Sequence, residues 1–357
     1  MKRIALLGLA VMTVAMSYAQ RISGTWKGML NAGNQKLEIV FHFDPSKDGG
    51  GAATMDVPAQ SAMGIPVRLN LLSADSVSLD VLALLMEYTG KLNNGVITGT
   101  FRQFGVAFPL ELKAGDAGKP NRPQEPESPL GYKTEEVTFT NQKAHVSLAG
   151  TLTYPVNYTP DKKVPVVIMV TGSGAQNRDE EVFAHKPFRV IADYLAKQGI
   201  ASLRYDDRGV GQSTGNQAGC TSADFAEDAA CGLSWLKSSG KFNQVGILGH
   251  SEGGLIAFML GAEGKADFLV SMAGPGIKGD SLLVEQQNAL FKLKGIPSNV
   301  SVSTLRKSMA TQPGNVWLEY FMDYDPRPDL ERITIPVMAV NGSNDMQVLS
   351  DSNISAI

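Results

Sequence analysis

The sequence predicts an α/β protein in which a small N-terminal all-β domain precedes a doubly wound, mainly parallel sheet with helices on both faces. Short alternating segments separated by turn residues continue to about residue 115, which is typical of antiparallel strands. From residue 131 onward, continuous apolar runs alternate with helical patterns, as in a parallel sheet covered by helices. The 357 residues, 43% of them hydrophobic, are enough for two cores.

A secretory signal peptide is predicted at residues 1–19. Lys2 and Arg3 precede thirteen apolar or small residues, Ile4 to Met16, and small residues follow up to a cleavage site after Ala19. The apolar run is shorter than the ~20 residues of a membrane-spanning helix. We therefore expect a bacterial protein exported to the periplasm or the medium, without a membrane span after cleavage.

The charge balance argues against a polyanionic partner. The formal net charge is −3, and subtracting the two positive charges of Lys2 and Arg3 gives −5. Proteins that bind nucleic acid carry a basic patch or stripe. We therefore expect no nucleic-acid partner.

The two cysteines, Cys220 and Cys231, are predicted to be free thiols. A helical pattern begins at Ser222, so the step of eleven positions from Cys220 to Cys231 would separate them by about 16 Å at ~1.5 Å per residue. A disulfide requires Cα atoms within about 7 Å.

Residues 20–115 are predicted to form a small antiparallel sandwich or partial barrel. Alternating segments such as Leu37–Phe43, Val67–Leu71 and Ile97–Phe101 indicate strands, and Asn93-Asn94-Gly95 is a hairpin-type connection. Two interpretations stay open for this domain: a module that binds a ligand or polysaccharide, and an accessory domain without a ligand.

Residues 116–130 are predicted to be a linker. Pro120, Pro123, Pro126 and Pro129 recur every third residue among polar side chains. This period matches polyproline II, which forms semi-rigid spacers. The stretch therefore indicates a domain boundary.

Residues 131–357 contain the pattern of the larger domain. Two amphipathic strands come first, and buried strands then alternate with helices. The predicted strands are Glu136–Phe139, Val146–Tyr154, Val164–Val170, Ala201–Tyr205, Val245–Gly249, Phe268–Met272 and Ile335–Val340, and the predicted helices are Phe188–Gln198, Ser222–Lys237 and Leu255–Ala262.

A candidate nucleophile, Ser251, lies in the sequence Gly249-His250-Ser251-Glu252-Gly253, between a buried strand and a helix. Glycines two residues before and after the serine permit the sharp strained turn of a nucleophile elbow. The pattern G-x-S-x-G occurs a second time, at Gly211-Gln212-Ser213-Thr214-Gly215. Ser213 lies in a polar loop with no strand before it, so the context favours Ser251.

Four blocks in chain order carry a resemblance to a known superfamily. They are Thr171–Asp179, Asp206–Ser213, Gly249–Gly253 and Asn341–Asp345. Together they resemble the α/β-hydrolase superfamily and, within it, secreted bacterial carboxylesterases and serine-aminopeptidase-like hydrolases with an N-terminal β domain. The resemblance covers residues 131–357 and implies the α/β-hydrolase fold.

The resemblance also implies an oxyanion hole. In this fold the backbone amide after the nucleophile, here that of Glu252, acts together with an amide from the loop after an earlier strand. The turn Gly172-Ser173-Gly174 supplies the second amide, from Ser173 or Gly174.

By the same resemblance, Asp345 falls where the superfamily has the acid of its catalytic triad, with a solvated loop carboxylate as the alternative. Asp207 and Arg208 match a structural motif that ties loops together. The predicted chemistry uses no metal and no cofactor.

The triad base is the difficulty. The superfamily order is serine, acid, histidine, yet all four histidines, His42, His145, His185 and His250, precede Asp345. His250 is expected to point away from the serine, and His185 is a weak alternative as surrogate base. We therefore hypothesise a truncated chain that lacks the final strand, the histidine loop and the last helix.

Residues 274–332 occupy the usual place of a lid over the pocket. Their apolar and aromatic side chains suit a small ester with a hydrophobic acyl or aryl part, although many must belong to the core. An aminopeptidase would need carboxylates for the substrate ammonium group, and Glu285, Glu319 and Asp323 are candidates.

Three hypotheses follow from these patterns. The first is a serine carboxylesterase that forms an acyl-enzyme. The others are an exopeptidase of the same fold and an inactive hydrolase-fold protein that binds a glycan or lipid.

Overall fold

The computed structural model describes residues 22–32, 35–45, 51–60, 62–103, 105–115, 122–182, 185–293, 295–297, 299–310 and 314–357. The chain divides into two compact units, one up to Arg122 and one from Pro123. The predicted signal peptide at residues 1–19 and the first part of the predicted linker, residues 116–121, lie outside the described residues.

Eight antiparallel strands of the first unit form a closed barrel in which β8 pairs back onto β1. The sequence predicted a sandwich or a partial barrel, whereas the observed barrel is closed. The strands are β1 (Gly24–Ala32), β2 (Gln35–Pro45), β3 (Gly51–Val57), β4 (Ala62–Leu72), β5 (Ser76–Val81), β6 (Met86–Asn93), β7 (Val96–Gln103) and β8 (Val106–Ala114).

The barrel interior is filled by side chains that alternate inward along each strand. Trp26, Phe41 and Tyr88 are each at most 1% exposed, and the Tyr88 hydroxyl donates to the Leu110 carbonyl at 3.2 Å. The Asn94-Gly95 turn has positive φ angles at both residues, 49° and 78°, as the hairpin pattern predicted.

A seven-stranded sheet forms the centre of the second unit, in the order β15-β14-β13-β11-β12-β10-β9. The strands β11 to β15 run parallel to one another, whereas β10 runs antiparallel to both of its neighbours, β12 and β9. These strands are β9 (Thr134–Asn141), β10 (Val146–Thr153), β11 (Val164–Val170), β12 (Ala201–Tyr205), β13 (Phe242–His250), β14 (Leu269–Met272) and β15 (Val337–Val340).

Helices follow the strands as the alternating pattern predicted. They are α1 (Pro187–Lys197), α2 (Ser222–Ser238), α3 (Glu252–Ala262), α4 (Gly279–Leu293), α5 (Val302–Ala310), α6 (Val316–Asp323), α7 (Arg327–Leu330) and α8 (Ser350–Ala356). In the described part of the chain, none of the helices has both the length and the hydropathy needed to cross a bilayer. Cys220 and Cys231 are free thiols, one just before α2 and one within it.

The strand β11 shows why the sheet is covered on both faces. Val167 and Met169 belong to a buried cluster with Phe188 and Ala192 of α1. The alternate residues of the strand, such as Ile168, belong to the main core with residues of α2 and α3. Successive side chains of a strand point to opposite faces, so the apolar run is buried on both faces of the sheet. The predicted doubly wound sheet is confirmed.

The strand β15 differs from its prediction. The sequence predicted a buried strand over Ile335–Val340, but the strand is confined to Val337–Val340. Val337, Met338 and Val340 are 41%, 59% and 40% exposed. The reason is position, since β15 lies at the edge of the sheet with β14 as its neighbour on one side only.

A buried ion pair ties the loop after β12 to α2. The Arg208 guanidinium donates from Nε to Asp228 Oδ2 at 2.6 Å and from Nη2 to the Asp224 carbonyl at 2.9 Å. Asn141, the last residue of β9, donates to the other oxygen of Asp228 at 2.7 Å. Arg208 and Asp228 are only 5% and 2% exposed, so each charge depends on the other.

The variant Arg208→Met should be strongly destabilised. Removing one member of a buried pair leaves an uncompensated charge, which costs about 3–5 kcal/mol. We expect urea unfolding to show a loss of this size for Arg208→Met. Arg327→Met, which removes a surface pair with Asp325, should leave the midpoint unchanged. Equal midpoints for the two variants would contradict the structural role of Arg208.

Candidate active site

Ser251 occupies a single-residue turn between β13 and α3. Its φ and ψ angles are 51° and −118°, a conformation that is strained for a residue with a side chain. Its amide donates to the Met272 carbonyl at 2.9 Å, and its carbonyl accepts from the Gly254 amide at 2.8 Å. The strained turn is therefore fixed by backbone hydrogen bonds on both sides.

The two glycines of the pattern are required by close backbone packing. A Cβ atom on Gly249 would lie 1.9 Å from the Gly253 carbonyl oxygen. A Cβ atom on Gly253 would lie 2.1 Å from the carbonyl oxygen of Val170 in β11. Neither position can accept another residue without moving the backbone, so the turn has the geometry of a nucleophile elbow.

Ser213, in the second copy of the pattern, has a different environment. It is 9% exposed. Its hydroxyl donates to the Asp206 carbonyl at 2.7 Å and accepts from the Ala149 amide at 2.9 Å. The first bond closes the loop after β12 on itself and the second joins this loop to β10, so the hydroxyl of Ser213 serves to hold the loop.

The 171–176 loop lies beside Ser251. A Cβ atom on Gly172 would lie 3.3 Å from Ser251 Cβ, and Ser173 and Gly174 are exposed. Among the described residues, no hydrogen bond occupies the amides of Ser173 or Gly174. The Glu252 amide, at the first position of α3, has no carbonyl partner within that helix. The loop that carries Ser173 and Gly174 thus lies beside the serine, and the amides of these two residues make no hydrogen bond within the described part of the chain.

Asp207 fixes the far part of this loop. Its carboxylate accepts from the Thr171 hydroxyl at 2.8 Å and from the Gln176 amide at 2.9 Å. Burial raises the pKa of Asp207 to about 7. The structure therefore gives Asp207 the loop-tying contacts that the resemblance implied.

A buried carboxylate that the sequence analysis missed, Glu180, joins the 171–176 loop to the elbow. Its Oε1 accepts from the Gly172 amide at 2.8 Å and lies 2.7 Å from His250 Nδ1. Glu180 is 4% exposed. It follows directly after the block Thr171–Asp179, and an acidic residue beside a glycine-rich loop was the signal that could have identified it.

The His250 ring contacts Glu180. Burial works against protonation of His250, but the hydrogen bond to Glu180 and the negative charges of Glu180 and Asp345 together outweigh it and raise the pKa of His250. The charge of Asp345 also raises this pKa, which places Asp345 within electrostatic range of the ring.

Glu252 contributes its side chain to packing under the elbow. The carboxylate, on a residue that is 2% exposed, accepts from the Ser222 hydroxyl at 2.5 Å and from Trp317 Nε1 at 2.8 Å. It thereby connects the start of α3 to α2 and α6.

Asp345 lies in the loop after β15. Its Oδ1 accepts from the amides of Gln347 and Val348 at 2.8 Å and 3.0 Å. These bonds fix the carboxylate in a turn at the carboxyl end of the sheet, which is also the end that carries Ser251. The other oxygen, Oδ2, accepts neither of these bonds.

The remaining histidines lie on other elements. His42, on β2 of the barrel, bonds Asp56 at 2.7 Å. His145 has a positive φ of 54° in the turn between β9 and β10. His185 forms a backbone bridge with Val182.

The three carboxylates proposed for an aminopeptidase do not converge. Glu285 accepts from the Ser352 hydroxyl at 2.6 Å and lines a cleft of about 840 Å³ together with Asp345. Asp323 pairs with Arg306 at 2.7 Å, and Glu319 is exposed on α6.

Comparisons with known proteins agree with this architecture. Residues 186–311 match the family model described as Hydrolase_4, serine aminopeptidase, S33. Over 231 residues the chain is 31% identical to Esterase EstD of Thermotoga maritima. This match covers 62% of the chain and 54% of the relative, so the chain spans about half of that relative's length.

Solved structures with a similar fold include an esterase of Pyrococcus furiosus, Pf2001, at 20% identity and a TM-score of 0.46. That match covers 62% of this chain and 75% of the other. The α/β hydrolase GrgF from Penicillium sp. sh18 matches at 18% identity and a TM-score of 0.45, covering 63% of this chain and 85% of the other.

Replacing Asp207 by asparagine tests the raised pKa of this carboxyl group. The folded pKa of about 7 lies above the ~3.9 of an unfolded aspartate, so between these pH values only the folded chain keeps the proton. The stability contributed by Asp207 is thus complete below pH ~4 and is lost as the pH rises through about 7.

We therefore expect the free energy of unfolding of the wild type, relative to Asp207→Asn, to fall over this pH window. The slope should not exceed ~1.4 kcal/mol per pH unit. Urea unfolding of both proteins at several pH values measures it. A difference independent of pH would contradict the raised pKa.

Proposed function

We propose that this chain, whose second unit has the α/β-hydrolase fold, is a serine hydrolase that cleaves carboxylic esters through an acyl-enzyme, with Ser251 as nucleophile. The observation that carries the proposal is the strained turn at Ser251, with φ 51°, at the end of a central strand. Backbone strain at a position held by its surroundings is typical of functional sites. The likeness to an esterase supports the reaction class.

In the proposed reaction, Ser251 Oγ attacks the ester carbonyl carbon, and the hydroxyl proton passes to a base. The alcohol leaves with a proton, and water then releases the acid from the acyl-enzyme. The amide of Glu252 and that of Ser173 or Gly174 would stabilise the oxyanion, each donor contributing ~3 kcal/mol.

Asp345 is proposed as the group that orients and stabilises a protonated imidazole. All four histidines of the chain precede Asp345, and His250 is held through Nδ1 by Glu180. A small base supplied from solution can take the place next to Ser251. Added imidazole therefore tests the proposed role of Asp345 directly.

The lid supports an ester substrate more than a peptide. Trp317 and Phe321 stack at 5.3 Å, and Phe321 belongs to an apolar cluster with Leu255 and Leu282. Leu255, Leu282 and Phe321 are at most 5% exposed and belong to the core, so the support for an ester comes from the apolar composition of residues 274–332. The exopeptidase alternative keeps one favourable observation, the carboxylate of Glu285 in the cleft beside Asp345.

The proposal also includes export of the protein and an accessory role for the first unit. The pattern at residues 1–19 supports export to the periplasm or the medium. The filled interior of the barrel supports an accessory role for this unit.

Labelling with a fluorophosphonate tests the nucleophile. With imidazole added as the base, we expect the wild type to be labelled, Ser251→Ala to lose labelling, and Ser213→Ala to keep it, because only Ser251 lies beside the proposed oxyanion donors. Ser213→Ala should instead lose about 1–3 kcal/mol of stability, since its two buried bonds are removed. Equal labelling of the wild type and Ser251→Ala would refute the assignment.

Hydrolysis of p-nitrophenyl butyrate with increasing imidazole tests the role of Asp345. We expect imidazole to raise the rate of the wild type above the rate of Ser251→Ala, by on the order of 10²-fold for a positioned base. Asp345→Asn should show a weaker gain, because its neutral side chain does not stabilise imidazolium. An identical imidazole response in wild type and Ser251→Ala would sink the proposed function.

Comparison of the butyrate ester with an aminoacyl p-nitroanilide separates the two enzyme classes. We expect hydrolysis of the ester and little or none of the anilide. Preference for the anilide, reduced in Glu285→Gln, would replace the esterase with the exopeptidase.

A further inference from the structure

We propose that Glu180 is a positioning residue for the proposed reaction: one oxygen of its carboxylate fixes the 171–176 loop and the end of β13 relative to each other. The inference rests on the proposed function and names a residue that acts through its neighbours. Glu180 lies 71 positions before Ser251 in the chain, so the bond joins two distant segments at the site.

The bonds of Glu180 converge on a single atom. Oε1 accepts from the Gly172 amide at 2.8 Å and lies 2.7 Å from His250 Nδ1. Hydrogen bonds to an ionised carboxylate are about twice as strong as neutral ones. Gly172 is adjacent to the proposed donor Ser173, and His250 is adjacent to Ser251, so this oxygen sets the spacing between donor and nucleophile.

The packing around Gly172 leaves little freedom for this spacing to change. A Cβ atom on Gly172 would lie 3.3 Å from His250 Nδ1, 3.3 Å from Ser251 Cβ and 3.4 Å from Glu180 Oε1. Three groups thus meet at one glycine. Loss of the carboxylate would remove the polar contact that holds them together.

Glu180 is itself held in a strained conformation. Its φ is 51°, and its amide donates to the Asn177 carbonyl at 2.8 Å. The Asn177 side chain accepts from the amides of Asp179 and Glu181 at 3.0 Å and 3.2 Å, and the Arg178 guanidinium donates to Asp206 at 2.7 Å. These contacts fix the turn from which Glu180 reaches the elbow.

The buried carboxylate and the strained backbone of Glu180 lie next to the proposed active site, which indicates a functional role. Burying a carboxylate is unfavourable unless it is hydrogen-bonded, and a left-handed conformation strains a residue that has a side chain. Both occur at Glu180, whose contacts lead to the residues next to the nucleophile and the oxyanion donor. Misplacement of such groups by about 1 Å can slow a reaction 10²-fold.

The test uses the full chain and three variants. Glu180→Leu removes both acceptor interactions, and Glu180→Gln keeps an acceptor oxygen without the charge. Glu181→Gln is the matched control, because the adjacent carboxylate lies near the surface and 3.8 Å from Lys186. The readouts are kcat and KM for p-nitrophenyl butyrate with imidazole, the fluorophosphonate labelling rate, and hydrogen exchange of the 171–176 loop.

We expect Glu180→Leu to lower kcat and the labelling rate about 10²-fold with KM unchanged. Glu180→Gln should lose about tenfold, since its bonds are neutral, and Glu181→Gln should match the wild type. Amide exchange of the loop should rise in the order Glu181→Gln, Glu180→Gln, Glu180→Leu.

The outcomes separate this inference from the proposed function. A wild type that is neither labelled nor active removes the proposed function, and the inference with it. An active wild type with Glu180→Leu equal to the control overturns the inference alone, as does an increase in KM at constant kcat. If Glu180→Leu does not fold, Glu180→Gln decides, and a labelling rate equal to that of Glu181→Gln overturns the inference.

Discussion

The contact between the backbone of the elbow and β11 is the constraint on which the rest of the site depends. Gly253 packs so closely on the Val170 carbonyl that a single additional carbon would lie 2.1 Å from that oxygen. This contact brings the end of β11, and therefore the 171–176 loop that follows it, next to Ser251. Strand packing in the centre of the sheet thus determines which loop lies beside the serine.

Two carboxylates, those of Asp207 and Glu180, then hold the 171–176 loop in a defined position. Asp207 holds the ends of the 171–176 loop, through Thr171 and Gln176, and Glu180 holds Gly172 against His250. Glycine-rich turns have many accessible conformations and are not held in one of them by their own sequence. Charge-assisted bonds from outside the loop supply the restraint that its sequence lacks, at the cost of burying negative charge.

The sequence predicted those features that depend on local pattern. The continuous apolar run of β11 identified a strand buried on both faces, and the strand-turn-helix context of Ser251 distinguished it from Ser213. Prediction failed where the neighbour of an element decides the result. The burial of β15 depends on its place at the sheet edge, and the contact of Glu180 with His250 joins residues 70 positions apart. Neither the exposure of β15 nor the contact between Glu180 and His250 follows from a local sequence pattern.

The two halves of the site differ in how firmly the fold holds them. Ser251 follows β13, which has strand neighbours on both sides, whereas Asp345 follows β15, which has one. Local stability is lowest where few buried contacts support an element, and three of the four residues of β15 are at least 40% exposed. The position of Ser251, the proposed nucleophile, is therefore set by the centre of the sheet, and the position of Asp345, the proposed acid, depends on the order of its edge. Conditions that loosen β15 should affect the contribution of Asp345 before they affect the elbow.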